Sequence, residues 1–217
     1  MTTSQNQLLS INSSDDIIFH EVINMQHNLA VKLDEKYTYK DYMTWDDSEY
    51  WELIDGIAYQ MAPPSTRHQD ISRNISGEFY IYLKDKTCKV YTAPFGVRLP
   101  VENESDEFIK NALLPDIVIV CDKNKIDDAG CRGTPDLIVE ILSPSSSKRD
   151  LEDKLALYEK ALVKEYWIVD PLNKFIQVYT LKENNLYEKA KVYSKDDKIK
   201  VSIFPDLEID LETVFKE

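Results

Sequence analysis

Long apolar runs are missing from this chain. No stretch approaches the roughly eighteen apolar residues that a membrane-spanning helix needs, and no basic segment followed by an apolar one marks the N-terminus. These absences predict a cytoplasmic protein with no membrane partner. Cysteine is scarce: Cys88, Cys121 and Cys131 are odd in number and lack C-x-x-C spacing, which speaks against a disulfide framework or a structural zinc site and predicts reduced thiols. No linker divides the chain, and no internal repeat is present. Basic residues are outnumbered, with 26 Lys and Arg against 39 Asp and Glu, a net charge of -13. Nonspecific affinity for DNA comes mainly from Lys and Arg neutralising phosphates. Any work on DNA would therefore call for a local basic patch or a protein partner that offsets the acidic charge.

The rest is the composition of an ordinary globular protein. With 217 residues, 43% hydrophobic and 30% charged, the chain is long enough for one well-packed domain. Residues 1–34 read as an N-terminal appendage, with a short apolar stretch around Ile17, Ile18, Val22 and Ile23, and residues 35–217 as the domain. Thr38 and Asp41 mark a helix start. Asp55-Gly56, flanked by apolar runs, predicts a hairpin. After Pro63-Pro64, Ser65 is a candidate N-cap for a helix to Leu83, in which Ile71, Ile75, Phe79 and Leu83 recur every four residues. Strand-like runs follow at Lys89 to Ala93, Gly96 to Val101 and Leu114 to Cys121. Asp122 to Thr134 reads as a loop.

Pro135 to Leu142 has the character of a buried strand. Ser143 to Ser147 then open a helix whose predicted apolar stripe is Leu151, Leu155, Tyr158 and Leu162. Tyr166 to Val169 forms the next strand, and the helix between the two strands implies a βαβ crossover. Phe175 to Leu181, Leu186 to Tyr193 and Ile199 to Phe204 suggest an antiparallel C-terminal meander. The whole reads as an α/β (α+β) domain, with a mixed central sheet flanked by helices.

Two acids stand out against this background. Asp116 and Glu140 lie in nearly uninterrupted apolar runs, where an unpaired charge costs several kcal/mol, by roughly estimated penalties. On neighbouring strands they would repel each other, and a hard divalent cation such as Mg²⁺ or Mn²⁺ would relieve the repulsion. The bland alternative puts Asp116 in a loop and pairs Glu140 with a basic side chain. Asp136 rivals Asp116 as first acid. Its four-residue separation from Glu140, about 13 Å along a strand, argues against one shared ion.

Several segments carry a family resemblance: Glu52-Leu53-Ile54-Asp55-Gly56, Ser65-x-x-His68, Leu114-Pro115-Asp116, Pro135-Asp136-Leu137-Ile138-Val139-Glu140-Ile141-Leu142-Ser143-Pro144-Ser145 and Glu165-Tyr166-Trp167-Ile168-Val169-Asp170-Pro171. Together they resemble the Uma-type restriction endonuclease family, also called domain of unknown function 820, from Tyr37 to Phe215. The resemblance implies a restriction endonuclease-like fold of the PD-(D/E)XK superfamily, DNA as substrate, a divalent metal held by Asp116 and Glu140, and pairing into a homodimer. It departs from the signature at Leu142, where a lysine is usual. Lys154, on the following helix, is the candidate replacement, with Asp150 one turn earlier to orient it. The alternative for these two is a solvated i,i+4 pair. Glu52 and His68 are supporting candidates, against a hairpin-edge glutamate facing water and a capping histidine. The expected activity is metal-dependent hydrolysis of DNA phosphodiesters. The rivals are a noncatalytic nuclease-like module that binds a protein, favoured by Leu142 and the net charge, and a hydrolase of smaller phosphate esters.

Overall fold

The fold follows from alternation along one strand. In a computed structural model that describes residues 35–45, 49–144 and 146–216, Leu137–Ile141 forms β9, every residue of it buried. Leu137, Val139 and Ile141 enter one apolar cluster and Ile138 enters another. Period-two alternation sends Glu140 to the Ile138 side. Neither face of this strand meets solvent, so the sheet that contains it is covered on both sides.

The first part of the domain supplies a covering sheet, a covering helix and two strands of the β9 sheet itself. Tyr39–Tyr42 (α1) starts at a capping box, in which Asp41 accepts from the Thr38 backbone and hydroxyl at 2.8 and 2.9 Å. Trp51–Ile54 (β1) and Ile57–Gln60 (β2) form the expected hairpin. Asp55 and Gly56 both take positive φ, 50° and 79°, as a two-residue turn matched to strand twist requires. Thr66–Leu83 (α2) is capped by Ser65, whose side chain accepts from the His68 amide at 3.2 Å. Lys89–Thr92 (β3), Val97–Arg98 (β4), Ala112–Leu113 (β5) and Ile117–Val120 (β6) follow. The segment expected to be a loop contains a small hairpin, Ile126–Asp127 (β7) and Gly130–Arg132 (β8).

After β9 the chain forms two helices where a single one was expected. Ser147–Leu151 (α3) and Asp153–Lys160 (α4) are separated at Glu152. Half of the predicted apolar stripe holds: Tyr158 is buried and Leu155 packs against the same cluster, but Leu151 and Leu162 are exposed, while Asp150, Lys154 and Leu157 face inward. Charge pairing beneath the helix outweighs the leucine periodicity. Glu165–Asp170 (β10) runs parallel to β9, as the crossover reading requires. Phe175–Thr180 (β11) and Lys191–Ser194 (β12) add antiparallel strands to the same sheet, so the expected meander divides. Lys198–Lys200 (β13) and Glu208–Asp210 (β14) pair separately, and Leu211–Val214 (α5) ends the fold.

Two six-stranded mixed sheets result, in orders β2-β1-β5-β4-β8-β7 and β12-β11-β10-β9-β6-β3. On one face of the β9 sheet, Ile71, Ile75 and Phe79 of α2 pack with Trp167 and the β13–β14 region. On the other, Ile54, Val97, Leu113 and Cys131 of the first sheet pack with Val118, Ile138, Ile168 and, from α4, Tyr158. The described residues belong to a compact unit spanning Asp34–Glu217. The expected N-terminal appendage lies outside the described residues. One cysteine expectation is overturned. Lys89 and Val120 are register partners, which sets Cys88 and Cys121 face to face one step beyond, and their sulfurs form a disulfide. Cys131 alone is a free thiol, and it is buried.

Candidate active site

The site lies where β6 begins and β9 ends. Ile117 pairs with Val139, and the antiparallel register carried one step further sets Asp116 opposite Glu140. The Asp116 carboxylate reaches across the strands: its Oδ2 accepts from the Ile141 amide at 2.7 Å and lies 3.2 Å from His68 Nε2. Ser65 caps the helix and so fixes the first turn from which His68 projects. Burial would lower the His68 pKa, but the hydrogen bond and charge of Asp116 raise it above its ordinary value. His68 Nδ1 is buried without a hydrogen-bond partner.

Beside this pair lies a buried group of charges. Lys154 Nζ is 2.9 Å from Glu140 Oε1, 3.0 Å from Glu52 Oε1 and 3.4 Å from Asp150 Oδ1. The four residues are 4% exposed or less. Tyr158 donates its hydroxyl to Glu140 Oε1 at 2.9 Å, and the Leu114 amide donates to Glu52 Oε1 at 3.0 Å. Burial pushes Glu140 well above the usual carboxylate range, opposed by Lys154, and the nearby Asp150, Glu52 and Asp116 charges push it further. Asp150 is raised for the same first reason. For Lys154 the carboxylates overcome burial, and the ammonium is held protonated well above its usual pKa. Three acids thus share one ammonium, and burial favours the protonated form of two of them. Such a group can hold an ammonium at the edge of a reacting centre, or share its load with a cation.

A family model described as "Putative restriction endonuclease", Uma2, matches residues 39–212. The chain belongs to this family. An uncharacterized protein of Synechocystis sp., slr1290, is 27% identical to this Uma2 chain over 143 residues, which are 64% of this chain and 72% of that one. A crystal structure titled as a putative nuclease belonging to DUF820, from Anabaena variabilis, superposes with a TM-score of 0.65 at 17% identity. The match covers 82% of this chain and 97% of that one. The restriction endonuclease-like fold expected from the sequence is therefore the fold of this chain.

The structure brings Asp116, Glu140, Lys154, Glu52, His68 and Asp150 to one end of the β9 sheet. Lys154 reaches Glu140 from the helix, while Leu142 packs against apolar neighbours at the usual lysine position. The bland alternative for the two acids is met, since Asp116 lies in a bend before β6 and Glu140 pairs with Lys154, whereas two others are corrected. Glu52 is buried, not a glutamate facing water, and Lys154 with Asp150 is a buried pair, not a solvated one. Asp136 stands apart, bonded to Lys164 at 2.7 Å and to the Cys121 amide at 2.8 Å. Tyr158 was read only as part of a helix stripe, and its bond to Glu140 had no signal in the sequence beyond a helical position one turn after Lys154.

The donor set fits a magnesium-like ion in chemistry. Such an ion binds through one or two carboxylates and keeps several waters. Asp116 commits Oδ2 and Glu140 commits Oε1, and no described residue donates to the other oxygen of either. No larger group, of three or more His, Cys, Asp or Glu suited to a metal, occurs among the described residues.

Proposed function

We propose that this Uma2-family chain is a divalent-metal-dependent endonuclease that hydrolyses phosphodiester bonds in DNA. The observation that carries the reading is the register that faces Asp116 with Glu140, with a buried lysine on the second acid. Asp116 and Glu140 would hold Mg²⁺ or Mn²⁺, which when bound supplies an acidified water and a polarised phosphate. Lys154 steadies the attacking oxygen and offsets charge growing on the phosphate. Glu52, Asp150 and Tyr158 fix the Lys154 head and the Glu140 carboxylate. His68, its protonated form favoured by Asp116, holds a proton within reach of the same end of the sheet.

Nuclease folds commonly pair so that two sites address two strands, and a homodimer is part of the proposal. Purified protein is expected to nick plasmid DNA with Mg²⁺ or Mn²⁺, and Glu140→Ala to abolish the nicking. Cleavage that survives the substitution would reject the site. Absence of both cleavage and metal binding would favour the protein-binding module, the reading that the net charge of -13 supports.

A further inference from the structure

Arginines in this acidic chain are mostly claimed by carboxylates. Arg73 lies 3.1 Å from Asp70. Arg98 is taken by Asp106 and Asp127, and Arg132 Nε by Asp106 at 2.6 Å. Arg149 differs from these three. No described residue hydrogen-bonds or ion-pairs with it, and its Nε is buried without a partner. What holds it is an aromatic ring: the guanidinium carbon sits 4.5 Å from the Tyr59 centroid. Tyr59 is the register partner of Glu52, so the two side chains share a face of the hairpin. Arg149 also directly precedes Asp150, whose carboxylate meets Lys154. The unclaimed guanidinium is thus tied on both sides to the elements that build the acid cluster.

A guanidinium over a ring is retained by the ring's negative face, and its donors lie in its own plane. Those donors match two phosphate oxygens in a fork. With a net charge of -13, a cation left without an acid beside a cluster of acids has a ready use: it meets a negative group that arrives with the substrate.

We infer that Arg149, braced on Tyr59, contacts a phosphate of the DNA strand next to the one that is cut. This rests on the nuclease reading above, and it names a substrate-positioning residue outside the Asp116, Glu140 and Lys154 group. The test measures nicking of supercoiled plasmid with Mg²⁺, and anisotropy of a fluorescein-labelled duplex across a salt series. Arg149→Ala is expected to raise KM and Kd about tenfold, with kcat changed less than KM. The slope of log affinity against log salt becomes shallower by about 0.9, the value of one lost phosphate contact. Arg149→Lys keeps the slope and loses part of the affinity, because the charge remains and the fork does not. Should Arg149→Ala fail to fold, Arg149→Gln keeps the stem, removes the charge and gives the same readout. A charge-free variant with wild-type KM and salt slope, in a protein that cuts DNA, overturns the role of Arg149 and leaves the nuclease reading standing. A wild-type protein that neither binds nor cuts DNA overturns both.

Discussion

Lys154 shows how a single buried residue ties stability to the candidate chemistry. Its ammonium meets Glu140, Glu52 and Asp150, all of them buried. Lys154→Ala should cost about 3–5 kcal/mol in urea denaturation at neutral pH, the range for removing one partner of a buried ion pair. The loss should shrink as pH falls and the stranded acids take up protons. His68 gives the second test at this scale. Its folded pKa is raised, so its contribution is full below the unfolded value, about 6.5 for histidine, and fades as pH rises through the folded value. Subtracting the pH-stability curve of His68→Gln from that of the wild type should leave that descending step, and a flat difference would remove the Asp116 pair as its cause. Asp116 and Glu140 stood out because charges in apolar runs demand an explanation, and Lys154 only through the signature lysine that is missing at Leu142. The pairing of His68 with Asp116 was not, since it joins a helix start to a strand start 48 positions away (116 minus 68), and no local pattern encodes that distance.

Among the elements, the long ones announced themselves and the short ones did not. The helix Thr66–Leu83 carries five turns of periodicity and a cap, and the hairpin turn is written in Asp55-Gly56. β5 and β7 are two residues each, too short for any alternation to register, and β4 keeps only two residues of the run expected from Gly96 to Val101. The α3–α4 region misled at Leu151 and Leu162, where leucine spacing suggested burial while paired charges turned Asp150 and Lys154 inward. Capping predicts that Ser65→Ala lowers stability by about 1 kcal/mol in thermal melts, and the first turn bearing His68 should fray with it. Gly130 is the severer case: at φ 114° an added Cβ would lie 2.2 Å from the Gly96 carbonyl oxygen. Gly130→Ala should cost more than the roughly 1–3 kcal/mol of backbone strain alone, read as a lowered melting temperature with the β7–β8 hairpin displaced.

For the whole molecule, the family segments carried the fold class, whereas the division into two six-stranded sheets depended on pairings between strands far apart in sequence. The Cys88–Cys121 bond escaped for a related reason, because only the β3–β6 register makes the two neighbours. Titration calorimetry with Mn²⁺ should show a site in the wild type and none in Asp116→Ala. Saturating metal should raise the melting temperature of the wild type alone, since a ligand at a hundred times its Kd adds about 2.7 kcal/mol. Glu52 comes from one sheet and Glu140 from the other, and a single ammonium bridges them. That bridge makes the seam between the sheets a latch. Mild heat or denaturant that parts the layers there would silence cleavage while most of the apolar interior still stood, so loss of activity should run ahead of loss of secondary structure on warming.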